Sequence, residues 1–242
     1  MKPDITAIVN LHLEGYLCAP TLQSVRRAAR AAESAGIRVE VLLVADRVDM
    51  RTIHTARALT DDSWRIFEVT LGDLGAARNF GARKARGDLL AFVDGDDLWA
   101  DDWLIASVRA SRETTRRVVW HPQINLFFGG ETYIFCNADM DDEGFDLIDM
   151  AFVNPWTALV SARREIFLDV PYPKTNLTDG IGYEDWGWNL KTIEHGIAHK
   201  IIPGTGHAIR RKRGTASLLE RTNAMSVVPS PTLAFRRLLS DQ

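Results

Sequence analysis

The run Leu89-Leu90-Ala91-Phe92-Val93 stops abruptly at Asp94-Gly95-Asp96-Asp97, followed by Leu98 and Trp99. Five consecutive apolar residues, with Gly87 before them and acids after, read as a short strand buried on both faces, as in a parallel sheet. Ligands of open α/β sheets bind beyond the carboxyl ends of their strands, so the acidic turn marks a candidate site. Carboxylates crowded there repel one another unless a cation sits between them. Mg²⁺ or Mn²⁺ is the expected ion, because hard divalent cations prefer oxygen and Mg²⁺ takes one or two carboxylates together with substrate phosphates. Asp-x-Asp alone is a weak motif. A solvated turn, with Asp101 and Asp102 opening the next helix, competes with it.

The chain before this turn alternates. Ile5 to Leu11 is apolar and β-rich, Thr21 to Ala35 carries Leu22, Val25, Ala29 and Ala32 at helical spacing, and Gly36 stops it. Val39 to Ala45 is the next buried strand, with Asp46 just past it. A short helix over Arg51 to Leu59, a strand over Arg65 to Thr70 and a helix over Gly72 to Arg86 complete the first hundred residues. Such β-α-β alternation implies parallel strands joined by right-handed crossovers, a doubly wound half.

The second half reads differently. A strand is expected at Val118 to His121, a hairpin from Ile124–Phe128 and Thr132–Phe135 around Gly129-Gly130, an acidic mobile loop over Asp139 to Asp149, and a strand at Ala158 to Ser161. Gly180-Ile181-Gly182-Tyr183 leads into Glu184-Asp185-Trp186, which opens a helix reaching His195 before Gly196. Lys200 to Ile202 is expected as a short strand, followed by His207, the run Arg210-Arg211-Lys212-Arg213 and Ser217. Thr232 to Leu239 is expected as a terminal helix.

Composition narrows the partners. With 29 basic and 32 acidic side chains in 242 residues, the balance does not call for nucleic acid. Cys18 and Cys136 form neither a disulfide framework nor a zinc pattern. No run approaches the roughly 20 apolar residues of a membrane span, and Met1-Lys2-Pro3-Asp4 enters a strand without a signal-peptide core. The expectation is a cytoplasmic protein with at most peripheral membrane contact.

Three landmarks, in order, carry a resemblance. Gly75-Ala76-Ala77-Arg78-Asn79-Phe80-Gly81, the turn Asp94-Gly95-Asp96 and the pair Glu184-Asp185 resemble the G-x-x-x-A-R-N-x-G helix, the metal motif and the E-D motif of the family 2 glycosyltransferases. The resemblance runs from about Ile5 to Ser217. It implies a GT-A fold: a Rossmann-like, mixed but mostly parallel sheet flanked by helices, with a small acceptor-side lobe of hairpin and helix. It also implies one glycosyltransferase domain over 1–242, with a nucleotide-binding half at 1–100, an acceptor-binding half at 101–220 and a tail at 221–242. The implied reaction is inverting transfer of a sugar from a nucleoside diphosphate to a hydroxyl acceptor.

The chemistry of that reaction assigns candidates. A departing diphosphate needs positive charge. Asp96 is expected as direct metal ligand, with Asp94 sharing the ion or facing the ribose. Asp97 is as readily a cap on the turn. His207 is a candidate third ligand, Arg210 and Arg211 are candidates to neutralise the phosphate, and Arg78 to reach the base or phosphate. Asn10, His12 and Asp46 are expected around the nucleobase, although Asn10-Leu11-His12-Leu13-Glu14 and Ala45-Asp46-Arg47-Val48-Asp49 both depart from the family's patterns there. A UDP-sugar is the expected donor, with guanine and thymine as alternatives. Asp185 is the expected general base, with Glu184 binding a hydroxyl; plain helix capping competes for both. Trp156 and Trp186 are expected on the acceptor wall. Trp188 is equally a core residue, Lys84 and Arg86 read as solvated, and His121, His195 and His199 as structural.

Rival classes fit less well. A nucleotidyltransferase would carry a Gly-rich, Arg-containing loop after the first strand, and a dinucleotide oxidoreductase a G-x-G-x-x-G. The chain has Leu11-His12-Leu13-Glu14-Gly15-Tyr16 there. A non-catalytic nucleotide-sugar-binding relative is the remaining alternative.

Overall fold

The structure is a computed structural model that describes residues 2–212, 222–225 and 227–229. It opens with β1 (Ile5–Leu11), a 3₁₀ turn (Gly15–Leu17), α1 (Cys18–Ser34), β2 (Val39–Asp46), α2 (Met50–Leu59), β3 (Arg65–Val69), α3 (Leu74–Lys84) and β4 (Leu89–Asp94). There follow β5 (Leu98–Trp99), α4 (Trp103–Arg112), β6 (Val118–Gly129), β7 (Tyr133–Cys136), β8 (Ser161–Arg163), α5 (Arg164–Asp169), β9 (Ile181–Gly182), α6 (Glu184–Glu194), β10 (Ala198–Arg211) and β11 (Val228–Pro229). Among the described residues the main sheet has nine strands in the order β3-β2-β1-β4-β8-β6-β10-β5, with β7 paired to β6.

The first four strands are parallel and β8 is antiparallel to both of its neighbours, which makes the sheet mixed. Both faces of the central strands are covered, as their unbroken apolar runs require. Ala7, Val9, Leu43, Ala91 and Val93 pack with α1, α2 and α4, while Ile8, Leu42, Val44, Leu90 and Phe92 pack with α3, α5 and α6. Asp49 and Asp73 cap α2 and α3, their carboxylates accepting from the Thr52 and Ala76 backbone N–H at 2.8 and 2.7 Å.

Several elements differ from the sequence reading. The strand expected at Val118–His121 and the first arm of the hairpin are one strand, β6, which runs through Pro122. The β8 pairing ends at Trp120 and the β7 pairing begins at Ile124, so the proline falls where no ladder bond to either is needed. The short strand expected at Lys200–Ile202 extends to Arg211: Pro203-Gly204-Thr205 forms a bulge, with Gly204 at φ +77, instead of ending the strand. The strand expected at Ala158–Ser161 overlaps the observed one, Ser161–Arg163, only at Ser161, and leads into α5, which the sequence did not announce. The acidic loop is tied down through Asp141 to Arg116 at 2.8 Å and to Lys200 at 2.5 Å, and it contains a 3₁₀ turn at Leu147–Ala151. The expected terminal helix over Thr232–Leu239, Ser217 and Arg213 lie outside the described residues.

One glycine decides how close α3 comes to the sheet. A Cβ on Gly81 would lie 2.9 Å from Ile8 Cγ2 and 3.3 Å from Val44 Cγ2. Gly81→Val is expected to cost about 1–3 kcal/mol by overpacking, read as a lower midpoint in urea unfolding at unchanged slope.

Candidate active site

Strands β1 and β4 end side by side, with Asn10 opposite Asp94 in register and its amide 3.5 Å from that carboxylate. Gly95 permits the turn that follows. A Cβ there would stand 2.8 Å from Leu11 Cδ2 and 2.9 Å from the Asn10 carbonyl oxygen. The acidic turn is thereby pressed against the end of β1.

Arg78 joins the three landmark segments. It is 1% exposed, and its Nη1 donates to Glu184 Oε1 at 2.7 Å while Nη2 donates to both Asp94 oxygens at 3.1 and 3.0 Å. Burial alone would lower its pKa, but Asp94 and Glu184 carry it above that of an ordinary arginine. The expectation was of a side chain reaching for base or phosphate; with α3 seated on the sheet at Gly81, the guanidinium pairs with carboxylates on β4 and α6. Asn79 is held as well. Its amide donates to the Tyr172 carbonyl at 2.9 Å and its oxygen accepts from the Tyr172 N–H at 2.8 Å. Lys84 lies over Phe67 and Phe80 at the surface, 5.9 and 5.5 Å from the ring centroids.

A cleft of about 500 Å³ opens beyond β1, β2 and β4, and Asn10, His12, Asp46, Asp94, Asp96, Arg210 and Arg211 all line it. Two of these are partly committed. His12 Nδ1 donates to the Asp46 carbonyl at 2.6 Å, and the Asp46 carboxylate accepts from the backbone N–H groups of Leu71 and Gly72 at 2.6 and 2.8 Å. Asp46 thus shapes the wall more than it offers a free acceptor. The sequence reading missed Arg47, Glu14 and Asp73 in the same cleft. Burial pushes the Glu14 carboxyl up against the opposing hydrogen bond from the His12 N–H, at 2.6 Å. A lone acid just past a buried strand was its only signal.

Positive charge meets the acidic turn from β10. Asp96 Oδ2 accepts from Arg210 Nη1 at 3.2 Å and from Lys212 Nζ at 3.1 Å, and Asp97 Oδ1 accepts from the Arg210 backbone N–H at 2.7 Å. Burial, then Asp94 and Asp96, push the Asp97 carboxyl well above the ordinary range. Burial lowers the Lys212 ammonium, yet Asp96, Glu14 and Asp94 outweigh it and its pKa lies above that of a free lysine. His207 is not brought to this turn. Its buried ring packs edge-on to Trp103 at 4.6 Å, lines neither cleft, and is pushed by burial to a pKa of about 3. Among the described residues no three His, Cys, Asp or Glu side chains converge as a metal site. With Asp94 held by Arg78 and Asp96 by two cations, the oxygens as arranged do not fit a resident Mg²⁺ or Mn²⁺.

A second cleft of about 450 Å³ shares Leu74, Asp94, Asp97, Ile209 and Arg211 with the first. Its floor is the start of α6. Tyr183 precedes the helix at φ 51, ψ 61, a left-handed conformation that costs a non-glycine residue energy and that clusters at functional sites. Because Tyr183 holds the N-cap position, neither acid caps the helix. Glu184 turns to Arg78, and Asp185 spans from the Trp186 N–H at 2.8 Å to the Asn154 amide at 3.5 Å. Burial raises both carboxyls above their ordinary range, with Arg78 opposing.

Aromatic rings form the walls. Trp186 and Trp156 both line this cleft, each anchored through its indole N–H, to the Met150 carbonyl at 3.0 Å and the Ala138 carbonyl at 2.7 Å. Trp156 stacks on His199 and His121 at 4.3 and 5.2 Å, and those histidines pair with each other at 2.9 Å. Trp188 lies in the core between Phe167 and Tyr172. The sequence reading missed Phe127, Tyr133 and Phe135 on the hairpin, and Asn154. Arg211 bridges the clefts, its guanidinium 4.4 Å from the Phe127 ring and donating to the Tyr133 hydroxyl at 2.6 Å.

The family described as glycosyl transferase family 2 matches residues 8–134. Among solved structures, S. aureus TarS 1-349 in complex with UDP-GlcNAc superposes with a TM-score of 0.62 at 15% identity, covering 99% of this chain and 64% of that one. The mannosyltransferase PcManGT from Pyrobaculum calidifontis, in complex with GDP-Man and Mn²⁺, gives 0.60 at 18% identity and covers 96% and 66%. GalNAc-T7 with UDP, GalNAc and Mn²⁺ gives 0.63 at 18% and covers 93% and 47%. These likenesses establish the GT-A fold, and the chain spans less than two thirds of the length of each. No curated protein sequence matches.

Arg78→Met would leave the buried Glu184 and the half-buried Asp94 without their counter-charge, so a loss of about 3–5 kcal/mol is expected. Chemical denaturation measures it; a loss under about 1 kcal/mol would mean that the carboxylates do not depend on Arg78.

Proposed function

The chain belongs to glycosyl transferase family 2, and from that premise we propose that it transfers a sugar from a nucleoside diphosphate donor to a hydroxyl of a saccharide acceptor, with inversion. The observation that carries this reading is the shared wall: Asp94, Asp97 and Arg211 border both clefts, so a donor in one and an acceptor in the other meet across them. The donor cleft draws mainly on residues within 1–100, joined by Thr175 and Ile209 to Lys212 from the second half. A UDP-sugar is the first donor to test and a GDP-sugar the second, since structural neighbours hold UDP-GlcNAc and GDP-Man.

In this reaction Asp185 takes the proton from the acceptor hydroxyl as its oxygen attacks the anomeric carbon. The bond from that carbon to the β-phosphate oxygen breaks, and the nucleoside diphosphate leaves. The Asn154 amide and the Trp186 N–H hold the Asp185 oxygens in place, and burial makes its carboxylate more basic than an exposed one. Glu184, fixed by Arg78, faces the same cleft and binds a hydroxyl. Phe135 and Trp186, partly exposed on this wall, present apolar surface on which the C–H side of a sugar ring stacks, with Trp156 and Phe127 packed behind them. The cations at Asp96 are the chain's own, Arg210 and Lys212, where Mg²⁺ or Mn²⁺ was expected.

Asp185→Asn is expected to lower kcat by about 10²- to 10⁴-fold while leaving donor binding intact, measured with donor hydrolysis or transfer and with calorimetry. The sign of the pH dependence follows from the raised carboxyl. A base works deprotonated, so wild-type kcat falls on the acid side of a pKa above the usual aspartate range, and the variant lacks that limb. An unchanged profile in the variant would assign the base elsewhere.

A further inference from the structure

Resting on the donor reading above, we infer that Lys212, with Arg210, supplies the positive charge for the diphosphate, so that this chain binds its donor without a divalent metal. The placement follows from strand geometry. In an extended backbone, side chains two residues apart share a face. Arg210 and Lys212 both reach Asp96 Oδ2, at 3.2 and 3.1 Å, while Arg211 between them turns to Tyr133 and Phe127. The basic run therefore delivers two cations to the acidic turn and one to the opposite wall.

The same two side chains line the donor cleft, so their charge is present where a diphosphate would lie. Their position is fixed at the backbone, because the Arg210 N–H is held by Asp97 at 2.7 Å. A divalent ion bound through Asp96 would have to displace both cations from one carboxylate oxygen or sit beside them against like-charge repulsion. Asp94 offers no alternative, since both of its oxygens accept from Arg78. An ammonium with three N–H donors and a guanidinium with five can neutralise a leaving diphosphate by hydrogen bonding as well as by charge. Asp96 then acts as a positioning residue that holds the two cations at the cleft.

The test is isothermal titration of the full chain with UDP, and separately with GDP, in EDTA and in MnCl₂. The expected result is a Kd that agrees within about twofold in the two buffers for the nucleotide that binds. Lys212→Ala should weaken binding in EDTA about tenfold or more with an unchanged melting temperature, and Lys212→Arg should restore most of it. Lys212→Asp, which exchanges the cation for a third oxygen ligand, should bind only in MnCl₂. Wild-type binding that vanishes in EDTA and returns with Mn²⁺ would overturn the inference while leaving the donor reading intact. Full affinity of Lys212→Ala in EDTA would overturn it as well. Binding of neither nucleotide in either buffer would bring down the donor reading and this inference together.

Discussion

A single buried guanidinium holds the site together. Arg78 on α3 compensates the end of β4 and the start of α6, segments far apart in sequence, and without it Glu184 would be stranded away from water and the half-buried Asp94 would lose its counter-charge. Buried ion pairs are poor sources of net stability, because desolvation offsets attraction. Their value lies in geometry, since the pairing is satisfied in only one arrangement of the three elements. The strained entry to α6 at Tyr183 is tolerated within that arrangement, where Glu184 is already fixed and Asp185 is aimed at the second cleft.

Charge is balanced locally around the cleft. Each acid of the turn meets a different partner: Asp94 a buried arginine, Asp96 two side-chain cations, Asp97 a backbone N–H. The partners of Asp96 and Asp97 come from the end of one strand, β10, and the residue that follows it, and the strand's alternation also sends Arg211 to the aromatic wall. A donor arriving with negative phosphates thus meets a turn that is already neutralised and a strand that carries the positive charge.

How far the sequence announced this varies with the range of the interaction. The parallel strands were legible because burial on both faces leaves unbroken apolar runs, as in Leu89–Val93, and α6 was legible because Glu184, Asp185 and Gly196 mark its ends. The length of β10 was not, because Pro203-Gly204 is a local stop signal that pairing with β6 overrides. The pairing of Arg78 with Asp94 and Glu184 was not legible, since nothing local says that Glu184 folds back onto it. The same holds for Trp156 and Trp188: sequence marks both as large aromatics, and only packing sends one to the cleft and the other between Phe167 and Tyr172. His207 has the chemistry of a ligand in sequence, and only packing shows its ring buried against Trp103.

The bulge in β10 carries a consequence of its own. Between Ile202 and Gly206 the strand advances four residues while β6 advances two, from Pro122 to Ile124. Because side chains alternate with a period of two, this even surplus leaves the two faces of the strand unexchanged. With the bulge held at its present surplus, an insertion or deletion of a single residue there would swap them, sending Arg211 to Asp96 and Arg210 and Lys212 to the aromatic wall. A change of two would keep the faces and slide the basic residues one pair along the acidic turn. Small length changes at a site remote from the chemistry therefore fall into odd and even kinds, and only the even kind gives descendants of this chain a graded way to re-space their charge.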